Sequence, residues 1–349
     1  MSRVAVGMSG GVDSATTALL LKEAGHEVVG VTLKTWTGED NRCCEMSEAR
    51  AMSIRMGISH YVRGAATEFK GCVARPFIDE YLSGRTPNPC VECNRYVKWA
   101  ALLNAADELG AEYVATGHYA RVDLLANGRY AIRQGASARK DQSYVLYKLT
   151  QEQLARTLLP LGGYEKDEVR AIAARAGLSA AQKPDSQEIC FVTEGSYADY
   201  IERETGEELP PGNFVDETGN VLGRHKGVAH YTVGQRKGLG LALGTPAYVT
   251  RIDAEKNEVV IGGEPSLYRP SIVCVDLHFM SVDGLSLGEE LRAFVKIRYN
   301  HKGEAATLKM NGDGTLTAVF DSPVRAPTPG QSAVFYDEDG YIIGGGKIK

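Results

Sequence analysis

The sequence has no long hydrophobic run, since no stretch approaches the roughly 18 consecutive apolar residues that a membrane-spanning helix needs. We therefore expect no membrane partner. No charged leader followed by an apolar segment opens the chain, so we expect no signal peptide and a cytoplasmic protein. Seven cysteines, an odd number, favour reduced thiols used for catalysis or metal binding over a disulfide framework.

Two familiar motifs are also incomplete. The segment Ser9-Gly10-Gly11-Val12-Asp13-Ser14 is not followed by Gly-Lys-Ser/Thr, which excludes a Walker A loop. Only one Cys-x-x-Cys pair is present, formed by Cys90 and Cys93, which disfavours a closed four-ligand zinc site. The adjacent Cys43 and Cys44 cannot both face one ligand site comfortably, so we expect at least one of them to be structural.

Acidic residues are missing from one long stretch, although the net charge of the chain is −5. No Asp or Glu occurs between Thr218 and Ile252, where five cations lie: Arg224, Lys226, Arg236, Lys237 and Arg251. A local basic face can bind phosphates on an acidic protein, while a solvated loop region without acids is the alternative.

The length of 349 residues exceeds what one hydrophobic core usually serves. Apolar strands at 3–8 and 28–33, separated by a helix that Gly25 ends, predict a parallel α/β sheet. After Leu209-Pro210-Pro211-Gly212 the helical period disappears, and short strands alternate with turn pairs such as Asn311-Gly312. We predict an α/β domain over 1–205, a central β-rich domain over 206–268 and a C-terminal β-barrel over 269–349.

The two adjacent glycines lie where the first strand turns into the first helix. Glycine lets the backbone adopt positive φ, and the N–H groups and dipole of a helix N-terminus attract anions. Such a nest predicts a phosphate or pyrophosphate site. Leu33, at the carboxyl end of the next strand, fits an adenine contact or plain core equally well.

Three further segments carry candidate chemistry. Pro87 and Pro89 predict an irregular loop over 84–95 before a helix over 96–109, placing Cys90 and Cys93 just before a helix N-terminus, which favours thiolates. His118 follows a predicted strand and fits a structural or a functional role equally. We also expect helices opening at Arg139 and over 151–163 and 166–177, and a short strand headed by Cys190.

The motifs occur together in one known family. In order, they resemble those of the bacterial tRNA-specific 2-thiouridylases (MnmA family), which belong to the PP-loop ATP pyrophosphatases; the matching segments are 7–14, Thr86-Pro87-Asn88-Pro89, Cys93-Asn94, 116–121, Lys140-Asp141-Gln142, 186–191, 231–238, Arg298-Tyr299 and Pro329-Gly330-Gln331. The resemblance implies ATP-dependent adenylation of the C2 oxygen of a wobble uridine, followed by sulfur transfer that yields 2-thiouridine, AMP and pyrophosphate.

The resemblance also implies roles for individual residues. Cys190 would carry a persulfide and Cys93 would be the catalytic thiol, with exchange through a mixed disulfide. Asp13 would hold Mg²⁺ beside ATP. The implied ATP-binding set is Gly7, Met8, Ser9, Gly10, Gly11, Val12, Asp13, Ser14, Leu33 and Gly117. The implied tRNA-binding set is Asn88, Pro89, Cys90, His118, Lys140, Asp141, Gln142, Arg298, Tyr299 and Gln331. The partners would be tRNA and a sulfur-donor protein or sulfide.

Alternatives stay open at this point. Cys90, Cys93 and Cys190 could instead hold a [4Fe–4S] cluster with one open iron for sulfide delivery. Another PP-loop ligase, such as a lysidine-forming synthetase or an amidotransferase-fed synthetase, would need neither Cys93 nor Cys190. The alternative that is not an enzyme is an RNA-binding protein stabilised by zinc, in which ATP has a structural role.

Overall fold

The computed structural model describes residues 1–36, 46–182 and 189–349. Cys43, Cys44 and the motif residues Ser186, Gln187 and Glu188 lie outside these ranges. The helices are α1 Val12–Glu23, α2 Met46–Met56, α3 Ala66–Phe69, α4 Arg75–Leu82, α5 Pro89–Glu92, α6 Ala100–Glu108, α7 Gln151–Ala155, α8 Lys166–Arg175 and α9 Tyr197–Thr205. Within the described ranges, no helix is both long and apolar enough to span a bilayer.

The strands alternate with helices only in the first half of the chain. They are β1 Arg3–Gly7, β2 Glu27–Lys34, β3 Ser59–Gly64, β4 Tyr113–Ala115, β5 Ala120–Leu124, β6 Tyr130–Gln134, β7 Thr157–Leu158, β8 Gly212–Asp216, β9 Val221–His225, β10 Tyr248–Asp253, β11 Glu258–Gly262, β12 Tyr268–Phe279, β13 Glu290–Lys296, β14 Glu304–Met310, β15 Leu316–Arg325, β16 Ser332–Tyr336 and β17 Ile342–Ile348.

The predicted parallel sheet is confirmed, with strand order β3-β2-β1-β4-β7 and every pair parallel. Val4, Ala5 and Val6 of β1 are fully buried because helices cover both faces of the sheet. Gly25 has φ +88 just after α1, so it ends that helix as expected. The carboxyl ends of β1, β2 and β4 meet at one edge, where ligands bind in such sheets.

Two of the predicted helices were wrong. The segment 151–163 is not one helix: α7 ends at Ala155, Thr157 and Leu158 add β7 to the sheet, and a 3₁₀ turn follows. The helix expected at Arg139 is only a 3₁₀ turn, Ser143–Leu146. Sheet pairing and tertiary contacts of this segment override the helical period, which is why propensity alone fails there.

A long helix carries the Cys-x-x-Cys motif, contrary to the predicted loop. It begins at Pro89, about two turns earlier than expected, and continues through the π-helical segment Cys93–Trp99 into α6. Proline is tolerated at the first helical position because its missing N–H needs no partner there. Asn88 caps the helix by accepting a bond from the backbone N–H of Cys90 at 3.2 Å.

The second half of the chain consists of β-structure, as predicted. Strands β8 to β11 form a four-stranded sheet of order β10-β11-β8-β9, and β12 to β17 close into a six-stranded barrel. Cys274 of β12 is fully buried in the hydrophobic cluster of the barrel. The sequence pattern missed α9, which packs with the aromatic residues of the N-terminal half.

The barrel also packs on the N-terminal domain. Tyr144, fully buried, donates its hydroxyl to the Ser332 carbonyl of β16 at 2.7 Å, and the Thr86 N–H donates to the Pro329 carbonyl at 2.8 Å. Both contacts lie next to the segment that leads into α5. The barrel is therefore part of the surroundings of the Cys-x-x-Cys helix.

Candidate active site

The glycine-rich loop has the geometry of an anion nest. Gly10 adopts φ +87, which requires glycine, and Gly11 is the N-cap of α1 with no side chain capping the helix. The Ser14 hydroxyl donates to the Gly11 carbonyl at 3.0 Å and accepts from the Ser9 N–H at 3.2 Å. These hydrogen bonds of the Ser14 hydroxyl fix the loop, and the N-terminus of α1 presents backbone N–H groups to an anion.

A charged pair lies directly beside the loop. The Lys166 ammonium at the start of α8 contacts both carboxylate oxygens of Asp13 at 2.8 Å. The Tyr119 hydroxyl donates to the same carboxylate at 2.7 Å, and Lys166 lies 5.7 Å from the centre of the Tyr119 ring. Lys166 and Tyr119 thus orient Asp13. The sequence analysis singled out Asp13 as a site residue, but neither Lys166 nor Tyr119.

Gly117 closes the loop from the neighbouring strand. A Cβ placed there would lie 2.8 Å from the backbone carbon of Asp13 and 2.9 Å from the Ser14 nitrogen, closer than real side chains come. Only glycine lets the segment after β4 approach the start of α1. Met8 and Leu33, two other members of the predicted ATP set, are buried in the core behind the loop.

Cys93 and Cys190 belong to one hydrophobic cluster, although 97 residues separate them in sequence. Cys93 is buried and Cys190 partly buried in this cluster. Phe191 anchors the second cysteine, because its ring packs 5.1 Å from Phe77 and 5.2 Å from Tyr200, measured between ring centroids. Cys190 lies in a turn closed by a bond from the Val192 N–H to the Ile189 carbonyl, so the predicted strand was wrong.

Cys90 faces a different part of the molecule. It is exposed in the first turn of α5 and lies near Tyr299, whose pKa is raised first by burial, next by the charge of Asp141 and last by Cys90. Tyr144 lies nearby, with its ring centroid 6.2 Å from that of Tyr299. Across 1–36, 46–182 and 189–349, no three His, Cys, Asp or Glu side chains group as metal ligands. The three cysteines therefore do not fit a shared iron–sulfur cluster.

Several residues of the predicted tRNA set are engaged inside the protein. The buried Asp141 carboxylate accepts from the Gly135 and Ser143 N–H groups at 3.1 Å and pairs with Lys296 of β13 at 3.2 Å. The side-chain amide oxygen of Gln142 accepts a hydrogen bond from the Tyr119 N–H at 3.0 Å. These two side chains join the barrel to the loop region.

His118 is also held within the protein. Its ring lies 5.5 Å from that of the buried Trp99, between centroids, and its Nδ1 lies 2.8 Å from the Thr116 hydroxyl. Burial, aided by the charge of Lys98, lowers the pKa of His118 from 6.5 to about 3. The imidazole is thus neutral at physiological pH and offers no positive charge to a phosphate.

Other members of the set lie together near the start of α5. Asn88 and Arg298 both act on the pKa of Tyr144, lowering it against the larger raising effect of burial. Arg298 donates to the Arg325 carbonyl at 3.2 Å, and the neighbouring Tyr299 is 38% exposed. This junction, defined by Asn88, Cys90, Tyr144, Arg298 and Tyr299, joins the N-terminus of the cysteine helix to the barrel. Of the remaining members, Pro89 is buried, and Lys140 and Gln331 are partly buried.

A buried lysine beneath the helix escaped sequence analysis. Lys148, 2% exposed, pairs with Glu92 between the two motif cysteines at 2.8 Å and with Asp276 of β12 at 2.6 Å. The two carboxylates raise the pKa of Lys148, against the burial that is the largest single effect and lowers it. No sequence pattern brings these three residues together, because they come from three separate segments.

Comparisons with known proteins agree with this arrangement. Residues 2–194 match the family described as tRNA methyl transferase HUP domain, 198–263 the tRNA methyl transferase PRC-barrel domain, and 271–348 the aminomethyltransferase beta-barrel domain. The chain is 52% identical to the tRNA-specific 2-thiouridylase MnmA of Lachnoclostridium phytofermentans, covering 100% of this chain and 99% of that protein. It is 49% identical to the MnmA of Acetivibrio thermocellus and 46% to that of Clostridioides difficile, covering 99% of this chain in both cases and 99% and 98% of those proteins. The chain therefore belongs to the tRNA-specific 2-thiouridylase MnmA family.

Proposed function

We propose that this protein is a tRNA-uridine 2-sulfurtransferase that adenylates the C2 oxygen of a wobble uridine with ATP and replaces that oxygen with sulfur from a cysteine persulfide. The observation that carries the proposal is the presence of two separate sites in one α/β domain. One is the anion nest with Asp13 and Lys166, and the other is the Cys93–Cys190 pair in a single cluster.

Adenylation is assigned to the nest. The C2 oxygen attacks the α-phosphorus of ATP, the bond to the β-phosphate oxygen breaks, and pyrophosphate leaves. Backbone N–H groups at the start of α1, with Ser9 and Ser14, would hold the phosphates. The C2 oxygen, a poor leaving group in uridine, becomes part of AMP, which leaves readily.

The Mg²⁺ that ATP carries fits this site. Mg²⁺ is usually held by one or two carboxylates together with substrate phosphates, and Asp13 supplies a single carboxylate that already binds a cation, the Lys166 ammonium. When bound, Mg²⁺ would offset charge on the phosphates. A [4Fe–4S] cluster on Cys90, Cys93 and Cys190 does not fit, so no step is assigned to one.

Sulfur transfer is assigned to the cysteine pair. The Cys190 thiolate takes the outer sulfur from a persulfide on a sulfur-donor protein, whose own thiolate leaves; alternatively, sulfide attacks the Cys190 sulfur of the Cys93–Cys190 disulfide, and the Cys93 thiolate leaves. The terminal sulfur of the resulting Cys190 persulfide then bonds to C2 while AMP leaves. The Cys93 thiolate then attacks the Cys190 sulfur, and the electrons of the broken S–S bond pass to the sulfur on C2. The products are 2-thiouridine and a Cys93–Cys190 disulfide, which a dithiol reductant returns to two thiols.

Placement of the tRNA follows from the domain arrangement. We assign residues 1–205 to the catalytic domain, 206–268 to a central tRNA-binding domain and 269–349 to the barrel. The wobble base would approach the junction around Asn88, Cys90 and Tyr299, where the cysteine helix begins. Asp141 and Gln142 would act on tRNA only indirectly, Asp141 through its pair with Lys296 of the barrel and Gln142 by fixing Tyr119. His118 would act through its packing on Trp99.

Mass spectrometry of tRNA nucleosides tests the proposal. Unmodified tRNA is incubated with the protein, ATP, Mg²⁺, a dithiol and a sulfur source, and 2-thiouridine is quantified. We expect ATP-dependent 2-thiouridine with the wild type, none with Cys93→Ser or Cys190→Ser, and normal amounts with the control Cys72→Ser, which lies in the same cluster. Product formation without ATP, or equal product in all variants, would refute the proposed function.

A further inference from the structure

The ion pair of Lys166 and Asp13 is not explained by the packing of α1 on α8. The two helices already pack through apolar side chains, since Val12 and Ala15 of α1 share a cluster with Val169 and Ala173 of α8. An ion pair at this place adds little to that packing. Its position at the N-terminus of α1, where the backbone N–H groups point outward, calls for another explanation.

The anchoring of Lys166 is asymmetric. Its backbone is fixed at the first position of α8 by a capping box, in which Glu165 and Glu168 bond reciprocally to backbone N–H groups. Glu165 also accepts from the Ser137 hydroxyl at 2.5 Å. The side chain beyond this anchor has four rotatable bonds, and its ammonium, 11% exposed, lies at the mouth of the loop beside Asp13, 33% exposed.

The chemistry of a lysine suits this position. An ammonium carries a full positive charge, which attracts phosphate oxygens as it attracts the carboxylate of Asp13. Asp13 is the second residue of α1, so an anion held by the first N–H groups of that helix lies within one turn of the carboxylate that fixes Lys166. A Walker A loop supplies its phosphate-binding lysine from its own sequence, and this loop contains none.

We propose that Lys166 is a phosphate-binding residue of the loop, supplied from α8 and oriented by Asp13 so that its ammonium reaches the phosphates of a bound nucleoside triphosphate. Tyr119, which donates to the same carboxylate, supports the orientation. The inference rests on the proposed function in that ATP is the ligand. It adds a residue that neither the loop motif nor the cysteine motifs include.

Calorimetric titration of the full chain with ATP in EDTA distinguishes two roles of Lys166. In one, Lys166 binds the phosphates of ATP; in the other, it only neutralises the charge of Asp13. The decisive comparison is Asp13→Asn against Asp13→Asn/Lys166→Met, because no carboxylate needs neutralising in either. We expect the double variant to bind ATP about tenfold more weakly, as a lost charge-assisted hydrogen bond implies. Adenosine, which has no phosphate, should bind both variants equally.

The single variants, titrated with ATP and Mg²⁺, provide a second measurement. Lys166→Met should weaken binding about tenfold, whereas Lys166→Arg, which keeps the positive charge, should stay within about threefold of the wild type. Lys22→Met is the matched control, since Lys22 lies at the other end of α1 and donates to the Met56 carbonyl. It should leave ATP affinity unchanged.

Two results would overturn the inference. If Asp13→Asn and Asp13→Asn/Lys166→Met bind ATP with equal affinity, Lys166 does no more than neutralise Asp13. Equal weakening of ATP and adenosine by Lys166→Met would make Lys166 a structural contact between helices. A wild type that does not bind ATP with Mg²⁺ would instead contradict the proposed function, so the two failures are distinguishable.

Discussion

At the scale of single residues, the three motif cysteines differ in their surroundings. Cys93 and Cys190 share a cluster with Phe77, Phe191 and Tyr200, whereas Cys90 is exposed beside Tyr299. A thiol pair in a partly dry cluster suits disulfide exchange, because water is kept from the persulfide. The division assigns chemistry to two of the cysteines and leaves the third at the edge of the substrate path.

Replacing Cys90 tests that division. Cys90→Ala, prepared without oxygen, should retain thiolation activity within about threefold of the wild type, because its sulfur is not needed for persulfide transfer. Iron, sulfide and 2-thiouridine are measured together, with Cys72→Ala as the control. Loss of bound iron together with activity in Cys90→Ala would instead show that the three cysteines hold a cluster.

His118 predicts a pH dependence of stability. Its pKa of about 3 in the folded protein lies below the ordinary 6.5, so the unfolded chain binds the proton more readily. His118 therefore stabilises the fold above pH 6.5, and this contribution is lost as the pH falls, by up to about 1.4 kcal/mol per pH unit. The free energy of unfolding, measured from pH 7.5 to 5, should fall more steeply for the wild type than for His118→Gln. Parallel curves would contradict this.

At the scale of elements, a charge network centred on the buried Lys148 fixes the start of the cysteine helix. Lys148 joins Glu92 of α5 to Asp276 of β12, and Lys347 of β17 lies 3.4 Å from the same Glu92. Glu92 lies between Cys90 and Cys93, so the network fixes the turn that carries both. The barrel thus contributes to the position of the turn that carries Cys93.

Removing the buried cation should be costly. Lys148→Met leaves the mostly buried Glu92 carboxylate without its nearest cation, and breaking a buried pair costs about 3 kcal/mol. The Asp276 carboxylate is 55% exposed, so its loss of the same cation adds little. We expect a large drop in thermal midpoint, partly restored by the double variant Glu92→Gln/Lys148→Met. Lys309→Met, which removes an exposed pair with Glu290, is the control and should cost less than about 1 kcal/mol. Equal effects of the two lysine variants would refute the network.

The elements also show what the sequence could predict. The sheet, the Gly10-Gly11 nest and the barrel were predictable, because hydrophobic period, glycine and turn pairs are local signals. The start of α5 was not, because Pro89 reads as a breaker unless it is recognised as a first helical residue capped by Asn88. Likewise β7 and α9 depend on partners distant in sequence.

The candidate site followed the same division. Asp13, Cys93 and Cys190 were predicted by motif, and their roles stay predictions, whereas Lys166 and Lys148 were missed because their partners lie 153 and 56 residues away. His118, Asp141 and Gln142 were predicted to contact tRNA, and the structure shows each of them bonded within the protein. Sequence identifies residue types at a site but not which of them the fold already uses.

At the scale of the whole molecule, the acid-free stretch forms an exposed surface. All five of its cations are exposed, and Arg236 and Lys237 lie in a loop that Gln235 fixes by bonding to the Thr232 N–H and the Lys237 carbonyl. These cations lie in the segment 198–263 that matches the PRC-barrel domain, and exposed cations attract the phosphates of a polyanion such as tRNA.

Neutralising part of this surface tests that role. Arg236→Gln/Lys237→Gln should reduce the slope of log affinity for tRNA against log salt by about 1.5, the equivalent of two phosphate contacts. Arg292→Gln/Lys309→Gln on the outer wall of the barrel changes the net charge equally, and both side chains are engaged with carboxylates. The slope of this control should stay unchanged. An unaltered slope in the first variant would place the tRNA-binding face elsewhere.

The central claim is that the nest activates the uridine and the cysteine pair delivers the sulfur as two separable steps. The most direct measurement is single-turnover mass spectrometry of tRNA after incubation of Cys190→Ser with ATP, Mg²⁺ and a sulfur source. The account predicts an adenylated tRNA with release of pyrophosphate and no 2-thiouridine, whereas Asp13→Asn should give neither. Failure of Cys190→Ser to form the adenylate, or formation of 2-thiouridine by this variant, would contradict it.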